Sequence, residues 1–234
     1  MAIQHVVVRD IDRAPQAVIA ELGVAGVATA HEAAGRIGLL DPRIQARLDG
    51  ASIAGSAVTV SCHPGDNLMI HAAVEMCHPG DVLVVTTTSE STDGMFGDLL
   101  ATSLIARGVV GLVIDAGVRD IATLRGMGFP VWSRAIHAQG TVKASPGSVN
   151  IPVVAAGQLV NPGDVVIADD DGVLILPIAR AAEVAEAATR RLATEESKRS
   201  TLAAGTLGLD LYNLRPLLAE LGVTYVDRLP DDAR

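Results

Sequence analysis

The sequence predicts an α/β fold, in which residues 1–177 form a core of alternating strands and helices and residues 178–234 form a C-terminal helical arm. Short runs of Val, Ile and Leu, such as 109–114, are typical of buried strands. Pro-Gly-Asp turns at 79–81 and 162–164 each precede such a run. In the arm, helical periodicity is combined with many charges, so we expect it to pack against a neighbouring subunit.

Local periodicity and turn residues predict the individual elements. Alternation of small and apolar residues predicts a strand over 55–61, and Asp66 is predicted to cap the helix that follows it. The patterns predict helices over 15–26, from 29, and over 67–76, 97–107, 121–127 and 178–200, the last followed by a shorter amphipathic segment. They predict a β-rich run within 1–13 and strands over 82–85, 109–114, 130–133, 165–168 and 173–176. Between 137 and 160, strands and turns alternate.

The composition excludes several classes of function. A formal net charge of −9 argues against nucleic-acid binding, which needs clustered Lys and Arg. No apolar run approaches the roughly 18 residues of a membrane-spanning helix, and no secretion signal is recognised. Cys62 and Cys77 lie outside any CxxC motif, which is typical of small apolar residues in a reducing compartment. We therefore expect a soluble, cytoplasmic protein that binds neither nucleic acid nor membrane.

The helix predicted from residue 97 offers a binding place for a carboxylate. Gly97 and Asp98 open this helix, and the backbone N–H groups of its first turn have no partner within the helix. The N–H groups of Leu99 and Leu100 therefore form a cradle for an anion, which the helix dipole also favours.

A charged pair, Arg119 and Asp120, follows the strand predicted over 109–114. Ligand sites in α/β folds collect at the carboxyl ends of strands, so we expect this pair to approach Asp98 although twenty residues separate them. A 2-oxo acid chelates Mg²⁺ or Mn²⁺, and such cations need only one or two protein carboxylates. Asp120 would bind the metal, Asp98 would hold its waters, and Arg119 would reach the C2 oxygen as an enolate forms. These residues alone leave open a capping aspartate and a surface ion pair.

The same residues resemble a family signature. Asp98, Arg119 and Asp120 match the D-x20-R-D spacing of the class II pyruvate aldolases that act on 4-hydroxy-4-methyl-2-oxoglutarate and 4-carboxy-4-hydroxy-2-oxoadipate. The segments GDLLAT and GLVIDAGVRD resemble that family, as do GFPVWSRAIHAQGTVK and NPGDVVIADDDGVLILP further along the chain. The resemblance runs from about Val24 to Tyr225.

This resemblance implies a swivelling β/β/α fold, a homotrimer or homohexamer, and a Mg²⁺- or Mn²⁺-dependent site between subunits. It implies that the backbone amides of residues 97–100 bind the substrate carboxylate, that Arg119 binds the C2 oxygen and that Asp120 binds the metal. It also implies a catalytic glutamate from the arm of the neighbouring subunit. Glu195 is the better match, and Glu196 beside it is the alternative.

The implied activity is cleavage of a branched 2-oxo acid. The product is pyruvate with oxaloacetate from 4-carboxy-4-hydroxy-2-oxoadipate, or two pyruvates from 4-hydroxy-4-methyl-2-oxoglutarate, in the breakdown of aromatic compounds such as protocatechuate. Asp98 and Glu195 would organise the water that takes the proton from the C4 hydroxyl. Oxaloacetate decarboxylation passes through the same enolate and is the implied side activity. The fold also resembles the regulator of ribonuclease activity A, a non-enzymatic protein that binds an RNA-degrading enzyme, and this is the alternative function.

The remaining polar residues add one discriminating observation. The chain has two lysines, Lys143 and Lys198, and neither has a sequence context that predicts the desolvated amine of an imine-forming aldolase. Metal chemistry is therefore favoured. His71 and Glu75, at helical spacing, are expected to pack or cap rather than bind metal. The run 169–171 predicts a hairpin turn, and the weaker candidates for the cleft are Arg36, Asn67 and His137.

Overall fold

The computed structural model describes residues 5–228, which form two compact units. The first unit extends to Thr189 and contains the β-sheets, and the second begins at Arg190 and contains helices in its described part. The division falls within a long helix, Ala181–Ala203. The residues predicted to bind the substrate and the metal all belong to the first unit.

A mixed sheet forms the centre of the first unit, and it is parallel where the site residues follow it. The strands are β1 (Gln45–Ala46), β2 (Ile53–Cys62), β3 (Asp81–Thr87), β4 (Gly94–Phe96), β5 (Gly111–Val118), β6 (Val131–Ile136), β7 (Ser148–Val149), β8 (Val153–Ala155), β9 (Gln158–Val160), β10 (Val165–Asp169) and β11 (Gly172–Leu176). The strands β2, β3, β5 and β6 run parallel, β4 lies parallel beside β5, and the order across the sheet is β1-β6-β5-β3-β2-β10-β11.

The helices are α1 (Gln16–Ala33), α2 (Leu68–Met76), α3 (Asp98–Ala106), α4 (Ile121–Met127), α5 (Ala181–Ala203), α6 (Gly208–Leu211) and α7 (Arg215–Glu220), with a 3₁₀ turn at Ile178–Arg180. The first helix is broken at Gly26, whose φ of 72° suits glycine. Asp169 receives the N–H of Val27 at 2.8 Å, directly after the break. The two helical stretches predicted on either side of residue 26 are thus confirmed.

The parallel strands are buried on both faces. Along β3, Leu83 and Val85 pack into the cluster that contains the apolar sides of α2, α3 and α4, whereas Val82 and Val84 pack into the cluster around Trp132. Neighbouring residues alternate between the two faces, so a strand covered on both sides is a continuous apolar run. Burying one such side chain contributes about 1.5–3 kcal/mol. This packing explains the apolar runs in the sequence.

The predicted α/β core and C-terminal helices are confirmed, with differences in detail. The strands β1 and β4 were not predicted, because two or three residues are too few for a periodic pattern. The β-rich run expected within 1–13 forms a bridge from Val7 to Val149 in its described part. The helix α2 begins at Leu68 rather than 67, and Asp66 still accepts the N–H of Leu68 at 2.9 Å.

Within residues 5–228, the helices fall short of the length and apolar character that a membrane span requires.

Candidate active site

Two parallel strands that end at the same level bring the predicted residues together. Phe96, the last residue of β4, is paired with Val118, the last residue of β5. The chain therefore leaves both strands side by side, and the N–H of Arg119 donates to the carbonyl of Phe96 at 2.9 Å. This strand pairing explains how Asp98 and the Arg119-Asp120 pair come close together although twenty residues separate them in the sequence.

Glycine is required where these two segments touch. A Cβ atom at Gly97 would overlap Oδ2 of Asp120, and a Cβ at Gly117 would overlap the carbonyl of Thr92. The carboxylate of Asp120 therefore lies directly against the backbone of Gly97. The absence of a side chain at residue 97 allows the helix start and this carboxylate to share one small space.

Asp120 has a backbone conformation that is uncommon for a residue with a side chain. Its φ of 56° and ψ of 34° lie in the left-handed region, at the N-cap position of α4. Aspartate tolerates this region better than most residues, and such conformations cluster at functional sites. Oδ2 of Asp120 lies 3.4 Å from Nε of Arg119, and the two side chains are 38% and 47% exposed. Both charged groups are therefore accessible to a ligand.

The N-terminus of α3 forms a second wall of the site. Gly97 is its extended N-cap residue, and the N–H of Leu99 donates to Oδ1 of Asp98 at 2.8 Å. A bound carboxylate would share or replace this contact, because the free N–H groups of a first helical turn point out along the helix axis. The side chain of Leu99 is exposed and that of Leu100 is buried, so the cradle predicted from residues 97–100 opens to solvent.

These segments line one cavity of about 80 Å³. Residues 97–100, Arg119 and Asp120 all contribute to its wall. The structure thus brings together the predicted site residues other than Glu195. Among the described residues, no three His, Cys, Asp or Glu side chains form a group able to hold a metal.

The family follows from a model that matches most of the core. The model of RraA-like proteins, described as Aldolase/RraA, matches residues 17–175. The chain belongs to the RraA-like family. The family and the swivelling β/β/α fold class predicted from the sequence are confirmed, because the solved structures of an RraA family protein and of a further bacterial protein superpose on the chain.

Relatives of this RraA-like protein carry two kinds of name. A protein of Halalkalibacterium halodurans is 28% identical over 68% of this chain and 76% of its own length, and one of Pseudomonas putida is 36% identical over 54% and 77%. Both are provisionally named 4-hydroxy-4-methyl-2-oxoglutarate aldolase. The crystal structure of RraAS2 from Streptomyces coelicolor, described as an unusual member of the RNase ES inhibitor RraA family, is 30% identical, with a TM-score of 0.73 over 81% of this chain and 99% of that chain.

The glutamates predicted from the resemblance to aldolases lie in the second unit of this RraA-like chain. Glu195 is on α5, and its Oε1 is 2.7 Å from Nε of Arg191. Glu196 pairs instead with Arg199 at 3.2 Å. Neither belongs to the unit that carries the cavity.

Three further residues line the cavity: Asn67, His71 and Lys143. Local sequence patterns did not predict that these three lie together. Asn67 was a weak candidate for the cleft, His71 was expected to pack or cap, and Lys143 was considered only as a possible imine-forming lysine. Partial burial, and then the charge of Lys143, lower the pKa of His71. A backbone contact between residues 66 and 142 brings the segments that carry these three residues together. No local sequence pattern predicts such a long-range contact.

The other candidates lie elsewhere. His137 lines a neighbouring cavity of about 260 Å³ that also touches Arg119 and Asp120. Arg36 forms an ion pair with Glu32 at 2.9 Å on α1. The run 169–171 makes the turn between β10 and β11, as predicted.

Proposed function

We propose that this chain is a divalent-metal-dependent aldolase. Its substrates are 4-carboxy-4-hydroxy-2-oxoadipate, 4-hydroxy-4-methyl-2-oxoglutarate or both, and pyruvate is released from each. The observation that carries the proposal is the meeting of Arg119, Asp120 and Asp98 with the start of α3 in one cavity. A guanidinium, two carboxylates and open backbone N–H groups are the groups that binding and enolising a 2-oxo acid requires.

The donor set fits Mg²⁺ or Mn²⁺. These cations take oxygen ligands, keep several waters and are commonly held by one or two carboxylates plus the substrate. Asp120 presents an accessible carboxylate to the cavity, and Asp98 also lines it. Asp120 would hold the metal and Asp98 its waters. When bound, the metal would supply Lewis-acid polarisation of the 2-oxo group.

Residues of the chain would carry the remaining steps. The N–H groups of residues 97–100 would bind the C1 carboxylate of the substrate, as helix N-termini bind anions. Arg119 would donate to the C2 oxygen, where negative charge grows as the C3–C4 bond breaks and the pyruvate enolate forms. Asp98 would orient the water that removes the C4 hydroxyl proton, and water would then protonate C3. Oxaloacetate decarboxylation is proposed as a side activity because CO₂ loss leaves the same enolate.

Glu195 is proposed to complete the site from a neighbouring subunit. The support is the family resemblance of the arm and its long polar helix α5. Glu195 would act with Asp98 on the water that serves as base. The resemblance also implies a homotrimer or homohexamer, and such a closed ring would let every subunit both give and receive an arm.

The second candidate function is inhibition of an RNA-degrading enzyme. It is favoured by the likeness to RraAS2 and to the RNA-processing inhibitor RraA from Thermus thermophilus, which is 28% identical with a TM-score of 0.55 over 59% of this chain and 84% of that chain. An inhibitor needs a binding surface and makes no demand on a chelating pair of carboxylates. The accessible Asp98, Arg119 and Asp120 therefore favour the aldolase.

A pyruvate-release assay separates the two functions. Both aldol substrates are incubated with the protein and Mg²⁺ or Mn²⁺, and pyruvate is followed with lactate dehydrogenase. We expect release that EDTA abolishes and added metal restores, and the ratio of kcat/KM values will name the preferred substrate. Absence of release from both aldol substrates, with inhibition of an RNase E-type enzyme, would support the regulator instead.

A further inference from the structure

Asn67 lines the cavity and carries a buried acceptor without a partner among the described residues. The residue is 8% exposed, and its Nδ2 donates to the carbonyl of Met95 at 3.0 Å. Because a carbonyl can only accept, this contact fixes the orientation of the amide. Oδ1 then has no hydrogen-bond partner in the part of the chain that the structure describes. A buried acceptor without a donor is costly, so a ligand hydroxyl at this point would satisfy it.

Lys143 and His71 add a cationic group and a ring nitrogen to the same wall. Both are exposed and both line the cavity with Arg119. Partial desolvation of the ring, and then the charge of Lys143, lower the pKa of His71. Lys143 brings a positive charge to this wall.

Asp66 fixes the position of this wall. Its buried carboxylate accepts the N–H of Leu68 at 2.9 Å, of Ala144 at 2.8 Å and of Ser145 at 2.6 Å. The N–H of Asn67 also donates to the carbonyl of Val142 at 3.1 Å. The segment that carries Lys143 is thus hydrogen-bonded to the start of α2, so the wall is formed before a ligand arrives.

The positions proposed for the pyruvyl half decide which part of a ligand this wall meets. With the C1 carboxylate at the start of α3 and the C2 oxygen at Arg119, the rest of a 2-oxo acid would extend along the remaining lining of the cavity. Asn67, His71 and Lys143 would then meet the hydroxyl and carboxylate on C4.

We propose that Asn67, His71 and Lys143 form the subsite for the C4 end of the substrate, with Asn67 accepting from the C4 hydroxyl and Lys143, with His71, binding a distal carboxylate. This inference rests on the proposed function and deepens it, because it selects 2-oxo acids with a second carboxylate. It separates the pyruvyl-binding residues from those that determine specificity.

The carboxylate contact is tested with a pair of ligands that differ only at the distal end. Binding of 2-oxoglutarate and of 2-oxopentanoate, which has a methyl group in place of the distal carboxylate, is measured by calorimetry in the presence of Mg²⁺. We expect about tenfold tighter binding of 2-oxoglutarate, the size of one exposed charge-assisted contact. Lys143→Met should abolish this preference while leaving 2-oxopentanoate binding within about twofold. Arg9→Met, which removes one exposed charge outside the cavity lining, is the control and should keep the preference.

Each outcome of that experiment decides the subsite. Equal affinity of the wild-type protein for both ligands, or an equal loss for both in Lys143→Met, would overturn it. Neither ligand has a C4 hydroxyl, so neither can undergo the aldol cleavage and the readout does not require turnover. A preference for 2-oxoglutarate without pyruvate release from the aldol substrates would support the carboxylate contact and reject the proposed function.

The hydroxyl contact has its own test. Asn67→Leu should lower kcat/KM for 4-hydroxy-4-methyl-2-oxoglutarate by about tenfold and leave the affinity for 2-oxoglutarate within about twofold. Retained 2-oxoglutarate binding shows that the variant is folded. A parallel loss in both measurements would contradict the assignment of Asn67 to the C4 hydroxyl.

Discussion

The chain has three Pro-Gly-Asp turns, at 64–66, 79–81 and 162–164, and their aspartates and those of the cavity are the same chemical group in opposite environments. Asp66, Asp81 and Asp164 are at most 2% exposed. Each carboxylate accepts hydrogen bonds from its own turn and from a distant segment. The distant donors are the N–H groups of Ala144 and Ser145 for Asp66, the guanidinium of Arg13 for Asp81, and the N–H of Ile178 for Asp164.

Asp98 and Asp120 differ from the turn aspartates in both respects. Asp120 is 38% exposed and lies beside Arg119, and Asp98 caps only the N–H of the next residue in the contacts described. A carboxylate whose lone pairs are occupied stabilises the fold, whereas one left accessible beside a cation has capacity for a ligand. Burial and partners, rather than residue type, distinguish structural from functional aspartates in this chain.

The largest expected effect is at Arg119. Arg119→Ala and Arg119→Lys should each lower kcat by about 10²-fold or more, because the enolate loses a donor that is already in place and lysine lacks the planar fork. Steady-state kinetics of pyruvate release measure this. Arg125→Ala, an exposed arginine of α4 that donates to a backbone carbonyl, is the matched control. A rise in KM alone would mean that Arg119 binds only the ground state.

Asp120 is expected to affect the metal requirement and not the fold. Asp120→Asn keeps a side chain that tolerates the left-handed backbone, and Asp120→Ala does not. Both should raise the metal concentration for half-maximal activity by about tenfold or more, or abolish turnover, and Asp120→Asn should leave Tm nearly unchanged. An unaltered metal titration would remove Asp120 from the metal and favour the plain ion pair with Arg119.

A mixture of two inactive variants tests whether the arm completes the site of another subunit. Arg119→Ala and Glu195→Ala are combined, and subunit exchange is confirmed by native mass spectrometry. Some sites would then unite an intact Arg119 from one chain with an intact Glu195 from another, so activity should return to about a quarter of the sites with random pairing. Full exchange without activity would place Glu195 within its own chain or outside catalysis.

Asp66 should show the opposite behaviour to Asp120 under the same substitution. Asp66→Asn is expected to lower the free energy of unfolding by about 1–3 kcal/mol at neutral pH, because a buried acceptor is lost. Burial raises the pKa of Asp66, but the N–H groups of Leu68, Ala144 and Ser145 outweigh it and hold the pKa below 3.8. The stabilisation is therefore present above about pH 4 and disappears as the pH falls through the folded-state pKa.

Denaturation of the wild-type protein and Asp66→Asn at several pH values checks this prediction. The difference in unfolding free energy should be constant near neutrality and shrink below pH 4. A difference that grows at low pH would contradict the assignment of the stabilisation to the ionised carboxylate of Asp66.

The smallest expected effect is that of borohydride. Reduction in the presence of pyruvate should leave activity and mass unchanged, because Lys143, although it lines the cavity, is exposed rather than desolvated. Mass spectrometry of the treated protein checks this. A pyruvyl adduct at Lys143 or Lys198 would overturn the metal mechanism.

Local sequence patterns predicted much of the core and one side of the cavity. The run over 82–85 is apolar because both of its faces are buried. Asp98 lies close to Arg119 and Asp120, as expected from the sequence, because two parallel strands end together. The strand β4, which creates that alignment, was missed because three residues show no period.

The other side of the cavity was beyond prediction from local patterns. Lys143 lies near Asn67 and His71 because their segments, far apart in the chain, are held together by backbone contacts. Asp66 accepts hydrogen bonds from N–H groups 78 and 79 residues away. Each of these residues has an ordinary local context. Only the folded chain shows that the buried Asp66 holds them together.

Exchange of the methyl protons of pyruvate tests the central claim most directly, because it needs only the pyruvyl-binding residues and enolate formation. Pyruvate is incubated with the protein and Mg²⁺ in D₂O, and its methyl signal is followed by proton NMR. We expect deuterium to enter the methyl group, with Arg119→Ala slowing exchange by about 10²-fold and EDTA stopping it. Exchange no faster than in buffer with wild-type protein, or unchanged in Arg119→Ala, would contradict enolate chemistry at this cavity.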